Sequence, residues 1–247
     1  MHRSFPWSIP IGLIFLWATP APAKDIALTF DSPPAKIEKA PARAVSLSFT
    51  PKPTQASPTP VIQVVRHALE TLFQGNSNSL VARAVGSAEG TRTPDGGYTA
   101  AYYGHVDPGN HKWNLGSFSY QHGAKSPAAA DTKQLKRLYK QALALRQQAS
   151  QHQVTLSLAE ELNGIDLANQ APLAALDRGY IDWLAIARQQ SMGEADRIVW
   201  ARTRAFLDPD SGRWNAPGLG NTLNSIRWDQ ARRQQAVQQA IEMHGGR

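Results

Sequence analysis

Glu89 is the last residue of a mostly apolar segment with helical spacing, and Gly90 and the loop "TRTPDGGY" follow it directly. An apolar environment and the negative end of a helix dipole both favour the protonated form of a carboxyl group. Glu89 therefore has the setting of a general acid, a group that donates a proton to a leaving oxygen, as in glycosidic bond cleavage. The alternative is a helix-end glutamate whose side chain lies in water.

Two aspartates in the loops after Glu89 are candidates for a second catalytic carboxylate. Asp95 lies six residues further on, in "PDGGYT", and Asp107 lies in "HVDPGNH". An inverting hydrolase uses a second carboxylate, on the other side of the scissile bond, to activate water. We favour Asp107 over Asp95 for this role because more chain separates it from Glu89, so that it can reach across a cleft.

The same region is rich in side chains that could hold a sugar. We predict substrate-binding roles for Tyr98, Tyr103, Tyr120 and Gln121. Packing in the core is the alternative for each tyrosine, and fixing a turn is the alternative for Gln121. His105, Asp107 and His111 could form a metal trio, but "DPGN" is first of all a turn sequence. We therefore predict no metal and no other cofactor.

Helices must position these residues. A first helix is predicted from Pro60, with Gly75 ending it, and a second over Ser79–Glu89, with Gly90 as its left-handed cap. From Thr91 to Gly123 the sequence is irregular, with two β-like pieces, "GYTAAYYG" and "LGSFSYQ".

Further helices are predicted after this region. A long one begins at Ser126, and "SLAE" (Ser157 to Glu160) and "SMGE" (Ser191 to Glu194) both fit the capping box. A loop, "LDPDSGRWNAPGLGN", precedes the last helix, and its Trp214 borders the cleft or seals the core. The sequence thus predicts a mainly α fold with a small β insertion after the helix that carries Glu89.

The N-terminal part has a different character. Residues 1–23 contain a cation, an apolar run and "APA", which is the order of a cleaved signal peptide, so we expect a periplasmic or secreted protein. Residues 24–59 are rich in Pro, Ala and Lys and are predicted to be a flexible linker, with one possible strand at Ala44–Phe49. Residues 60–247 are predicted to be the catalytic domain.

Composition limits the partners. The chain has no cysteine, which excludes disulfides and thiolate metal sites, and a net charge of +7, which favours an anionic partner such as a cell-wall polymer. No nucleic-acid-binding motif is present and an export signal argues against such a role, so nucleic acid is not predicted as a partner. No segment after the signal is apolar and long enough to predict an integral membrane span.

The segments "SAEGT", "GGY", "YYGH" and "GSFSYQ", between Leu80 and Gln121, resemble the lysozyme-like superfamily, in particular phage-type endolysins and lytic transglycosylases. The resemblance implies a lysozyme-like helical fold with Glu89 as the catalytic acid. It also implies that Gly116 to Gln121 line the cleft, although "GSFSYQ" carries extra residues before its glutamine.

A weaker resemblance links "SAE" and "DGGYT" to chitosanases, and implies that Asp95 is the catalytic base. The strand that these enzymes have between the two carboxylates is not evident here, and a basic protein suits a cationic polymer poorly. The expected function is therefore cleavage of β-1,4 bonds in peptidoglycan by a lytic transglycosylase or lysozyme. The alternatives are a non-catalytic cell-wall-binding or scaffold protein and a chitosanase-like hydrolase.

Overall fold

The computed structural model describes residues 69–245, and these residues confirm the predicted mainly α class. The helices are α1 (Leu80–Glu89), α2 (Ala100–Tyr103), α3 (Pro127–Gln151), α4 (Leu158–Gln170), α5 (Pro172–Leu176), α6 (Tyr180–Arg188), α7 (Glu194–Arg204) and α8 (Leu223–Gly245). Residues 69–73 are also helical, and short 3-10 helices span Asn76–Asn78 and Pro217–Leu219. The predicted signal peptide (1–23), the predicted linker (24–59) with its possible strand, and the predicted helix start at Pro60 lie outside the described residues.

Helix α1 has both of the predicted ends. The hydroxyl of Ser79 accepts a hydrogen bond from the backbone N–H of Ala82 at 3.2 Å, which caps the first turn. Gly90 has φ of 73°, a left-handed conformation that suits glycine, and its N–H donates to the last carbonyls of the helix. The predicted apolar face is buried: Leu80, Val81, Ala84, Val85 and Ala88. Glu89 is therefore held at the end of a firmly packed helix.

The region after α1 contains less strand than predicted. The prediction of a β-like piece at residues 97–104 is wrong over Ala100–Tyr103, which form the single helical turn α2. This turn buries Tyr102 against Tyr98, with ring centroids 4.1 Å apart, whereas Tyr103 faces solvent. In the second β-like piece, Leu115 and Tyr120 form only an isolated bridge around a turn.

A two-stranded antiparallel hairpin lies between these pieces. Strand β1 (His105–Val106) pairs with β2 (Trp113–Asn114), with His105 opposite Asn114 and Val106 opposite Trp113. Val106 and Trp113 are both exposed, whereas Asn114 is buried. The hairpin therefore presents an apolar pair to solvent on one face.

The helices after the hairpin confirm most of the predicted caps. Ser126 caps α3, and Ser157 and Glu160 form the predicted capping box of α4. The second predicted capping box is wrong. Helix α7 begins at Glu194, and its N-cap is Gly193, which has an extended backbone and makes no side-chain hydrogen bond to the helix. Ser191 therefore lies outside the helix.

Helix α4 lies at the centre of the described fold and packs against α1, α3, α5, α7 and α8. Every residue from Ala159 to Ala168 is buried, so that no side of the helix faces water. Four of these residues are polar or charged: Glu160, Glu161, Asn163 and Asp166. Each must find its partners inside the protein, because a buried polar group without a hydrogen bond is costly. No helix within residues 69–245 is both long and apolar enough to cross a lipid bilayer.

Candidate functional site

Glu89 is half-buried at the C-terminal end of α1, and two side chains from other helices bind it. Oε1 of Glu89 accepts a hydrogen bond from Nδ2 of Asn169 in α4 at 3.0 Å and one from Nη2 of Arg233 in α8 at 2.6 Å. The side chain of Glu89 is 16% exposed and that of Arg233 is 5% exposed. The sequence predicted an apolar environment for Glu89, but the structure places its carboxylate in an ion pair.

The two oxygens of Glu89 differ in their surroundings. Both hydrogen bonds go to Oε1, and Oε2 accepts none from residues 69–245. One oxygen therefore orients the carboxyl group, while the other is left to interact with water or a ligand. A carboxyl group that is held on one side and open on the other can exchange a proton with a bound molecule.

Arg233 also binds Asp166, and this contact extends the site into the core. Nε and Nη2 of Arg233 donate to the two carboxylate oxygens of Asp166 at 2.9 and 2.7 Å. Asp166 accepts a further bond from Nη2 of Arg202 at 2.7 Å, and both of these residues are fully buried. Arg202 in turn binds Gln230 and Asn163. Two guanidinium groups thus face two carboxylates, and their formal charges cancel.

The electrostatics of this network agree with its geometry. Burial alone would raise the pKa of Asp166, but Arg233 and Arg202 outweigh burial and lower the pKa below its ordinary value. Burial alone would lower the pKa of Arg233, but Asp166 and Glu89 raise it. Burial lowers the pKa of Arg202, an effect that Asp166 opposes. Asp166 is therefore held as a carboxylate between two cations.

A second layer of contacts joins α8 to the end of α1. Nη1 of Arg232 donates to the backbone carbonyl of Ala88 at 3.0 Å, and Nη2 donates to Asp229 at 2.9 Å. Asp229 also accepts a hydrogen bond from Nε2 of Gln170 at 2.6 Å. A cation therefore satisfies one of the last carbonyls of α1, which carry the negative end of the helix dipole.

A cavity of about 450 Å³ is lined in part by Gln170, the residue that follows Asn169 in α4. Its lining includes Asp107 from the turn between β1 and β2, Arg178 from the segment after α5, and Phe206 from the segment after α7. The rest comes from the α4–α5 junction and from the Gly/Pro-rich loop before α8: Ala171, Leu173, Ala174, Asn215, Ala216, Pro217, Gly218 and Leu219. Its volume is in the range of small-molecule sites.

The two candidate second carboxylates lie in different settings. Oδ1 of Asp107 accepts backbone N–H groups of Gly109 and Asn110 at 2.7 and 3.0 Å, and Asp107 lines the cavity. Asp95 is exposed and binds the hydroxyl of Thr93 and the N–H of Gly97 within its own turn. The structure thus brings Asp107, but not Asp95, to the cavity that Gln170 lines.

The predicted substrate-binding side chains lie on the β region. Tyr103 is 65% exposed and Tyr98 is 42% exposed, whereas Tyr120 is half-buried. Arg92 lies over the ring of Tyr98, 4.1 Å from its centroid. Gln121 is exposed, and its Oε1 accepts a hydrogen bond from Asn110 in the hairpin turn at 2.9 Å. Trp214 is half-buried and is not part of the cavity lining.

The sequence analysis missed Asn169, Asp166, Arg202 and Arg233. A signal for Arg233 exists in α8, where Ile226, Gln230, Arg233 and Val237 share one helix face. A polar pair within an otherwise core-facing stripe indicates a buried network. No group of three metal-ligating side chains within residues 69–245 could hold a metal ion.

In comparisons with known proteins, no protein-family model, no curated protein and no solved structure matches this chain.

Proposed function

We propose that this protein is an exported enzyme of lysozyme-like fold that cleaves β-1,4 glycosidic bonds in peptidoglycan, with Glu89 as its acid and base. One observation carries the proposal: Glu89 ends a packed helix, with Oε1 fixed by Asn169 and Arg233 and with Oε2 open. A cavity lined by Gln170, the residue that follows Asn169 in α4, supports the proposal as a place for part of the substrate.

The chemistry follows in two steps. Glu89 donates its proton to the glycosidic oxygen as the bond from that oxygen to the anomeric carbon breaks. The guanidinium of Arg233, 2.6 Å from Oε1, stabilises the carboxylate that remains. Glu89 then takes a proton from the 6-hydroxyl of the same sugar, whose oxygen bonds to the anomeric carbon. This is the transglycosylase route, and it needs no second carboxylate.

A hydrolytic route uses water in place of the 6-hydroxyl. A second carboxylate then takes a proton from the attacking water, and Asp107 has the better position for this role because it lines the cavity. Asp95 would serve in the chitosanase-like alternative. The exposed rings of Tyr98 and Tyr103, with Tyr120 and Gln121, would hold the sugars on the β region.

A second candidate function is a non-catalytic cell-wall-binding or scaffold protein. The ion pair between Glu89 and Arg233 favours it, because a guanidinium stabilises the ionised carboxylate whereas a general acid must carry a proton. In this case Glu89 joins α1 to α8 and does no chemistry.

Replacement of Glu89 by Gln separates the two candidates. The amide oxygen can still accept from Asn169 and Arg233, but no transferable proton remains. We expect the rate of release of soluble fragments from purified peptidoglycan to fall on the order of 10²–10⁴-fold, with the protein still folded. Glu242→Gln, a change at an exposed residue of α8, is the matched control.

Mass spectrometry of the wild-type products identifies the route. Anhydro-sugar ends mean that the 6-hydroxyl attacks, and reducing ends mean that water attacks. Unchanged activity in Glu89→Gln would end the assignment of this residue. Sedimentation of the wild-type protein with the polymer, without any cleavage, would establish the non-catalytic candidate instead.

A further inference from the structure

The cavity lined by Gln170 has one negative and one positive side chain in its lining, and most of its other lining residues are apolar. Asp107 comes from the hairpin turn and Arg178 from the segment after α5. The apolar part of the lining is formed mainly by Leu173, Ala174, Phe206, Pro217 and Leu219. A ligand that fits these walls has an apolar portion and groups of both charges.

The two charged side chains, Arg178 and Asp107, can each make further hydrogen bonds to a ligand. Arg178 is 17% exposed, and its two contacts are long: 3.4 Å from Nη1 to the carbonyl oxygen of Asn215 and 3.7 Å from Nη2 to Oδ2 of Asp208. In Asp107, Oδ1 accepts both backbone N–H groups, and Oδ2 accepts no hydrogen bond from residues 69–245. A carboxylate on a ligand could therefore bind Arg178, and an ammonium group could bind Asp107, which takes no part in catalysis on the transglycosylase route.

These features are poorly suited to a sugar ring. An N-acetylated sugar ring is neutral, and its flat apolar face is matched by an exposed aromatic ring. The one aromatic residue of the lining, Phe206, is 5% exposed. The exposed rings of the β region lie outside the lining: Tyr98, Tyr103 and Trp113. Sugars and the occupant of the cavity therefore have separate places.

We infer that the cavity binds the short peptide that branches from the glycan chain of peptidoglycan, and this inference rests on the proposed function. Such a peptide carries free carboxylates, an amino group and small apolar side chains, which match the walls of the cavity in charge and polarity. Gln170 lines the cavity, and the residue before it, Asn169, holds Glu89, so that α4 contributes to both places. Chitin and chitosan lack the peptide, which makes the cavity a determinant of specificity.

Binding can be measured without cleavage in the full-length Glu89→Gln variant. The probes are a peptidoglycan disaccharide with its peptide and the same disaccharide after an amidase has removed the peptide and the lactyl carboxylate left behind has been capped as a methyl amide. Each probe is titrated calorimetrically. We expect the peptide to tighten binding at least about tenfold. Adding Arg178→Gln should weaken binding of the peptide-bearing probe about 10- to 100-fold, as expected for loss of a charge-assisted hydrogen bond. It should leave the peptide-free probe unaffected.

Two further variants keep the result specific. Arg178→Lys retains the positive charge and should recover part of the loss. Arg213→Gln, at an exposed residue of the loop before α8, should change neither affinity. Equal affinity for the two probes, or an Arg178→Gln variant that binds both as well as its parent does, would overturn the inference while leaving glycan cleavage intact. Peptide-dependent binding by a protein that cleaves no peptidoglycan would support the inference and remove the proposed enzymatic function.

Discussion

Asn169 donates its side-chain amide to Oε1 of Glu89 at 3.0 Å, although 80 residues separate the two in sequence. The orientation of Asn169 is itself fixed. Its Oδ1 accepts a hydrogen bond from Nε2 of the buried Gln134 at 2.6 Å, which leaves the amino group directed at Glu89. Through this pair of contacts the position of the candidate acid depends on α3 and α4 as well as on its own helix α1 and on Arg233 of α8.

Replacing Asn169 by Ala tests whether this contact positions Glu89 for reaction. A hydrogen bond between a neutral and a charged group contributes about 1.5–3 kcal/mol, so we expect kcat on peptidoglycan to fall roughly 10- to 150-fold with little change in KM. Steady-state kinetics give the two constants separately, and Asn224→Ala, at an exposed residue of α8, is the control. An equal rise in KM with unchanged kcat would show that Asn169 binds substrate and does not position the acid.

Asp166→Asn should destabilise the protein strongly. The change leaves Arg202 and Arg233 buried with one negative charge fewer, and breaking a buried ion pair in this way costs about 3–5 kcal/mol. Urea denaturation followed by circular dichroism measures the loss. Asp182→Asn is the matched control, because the side chain of Asp182 is 55% exposed in its pair with His152, and exposed pairs contribute at most about 1 kcal/mol. Similar losses in the two variants would mean that the buried network contributes no more than a surface pair.

The elements of the fold were predictable where local signals define them. The ends of α1 follow from a serine cap and from Gly90, and the start of α4 follows from Ser157 and Glu160, because in each case the cap is made by residues within one helical turn. The serine at position 191 has the same spacing to Glu194, but the helix begins two residues later than the motif requires. A motif for a cap cannot reveal which of two nearby positions the rest of the fold selects as the N-cap.

The candidate site was predictable only in part. The position of Glu89 at a helix end is a local property, and the sequence shows it. Its partners come from α4 and α8, far along the chain, and a pairing between distant helices leaves no local pattern. The environment of Glu89 could not be predicted for the same reason: apolar neighbours in sequence do not exclude an arginine that approaches from another helix. Arg233 is such a residue.

Asp131 and Asp166 should affect the pH dependence of stability in opposite directions. Burial raises the pKa of Asp131, which Ser117 binds through its N–H and its hydroxyl at 2.7 and 2.9 Å. A raised pKa gives stability that is present below the unfolded value, about 3.9, and is lost as pH rises through the folded value. Relative to wild type, Asp131→Asn should therefore become more stable as pH rises from about 3 to 7.

Asp166 has a lowered pKa, because Arg233 and Arg202 outweigh its burial. A lowered pKa gives stability that is present above the unfolded value and is lost as pH falls through the folded value. The deficit of Asp166→Asn should therefore be larger at pH 7 than near pH 3. Denaturant titrations at several pH values give the two differences from wild type, and slopes of the same sign in both variants would contradict the assignment.

Ser157→Ala and Ser191→Ala compare two serines in the same sequence motif with different structural roles. The hydroxyl of Ser157 accepts the backbone N–H of Glu160 at 3.2 Å, and the carboxylate of Glu160 accepts the N–H of Ser157 at 2.9 Å. Loss of such a cap costs about 1 kcal/mol, and we expect this decrease in the free energy of unfolding for Ser157→Ala. Ser191 is exposed and lies before the N-cap Gly193, so Ser191→Ala should stay within about 0.5 kcal/mol of wild type. Thermal and urea unfolding of both variants provide the measurement, and a loss in Ser191→Ala as large as that in Ser157→Ala would mean that α7 begins at the motif after all.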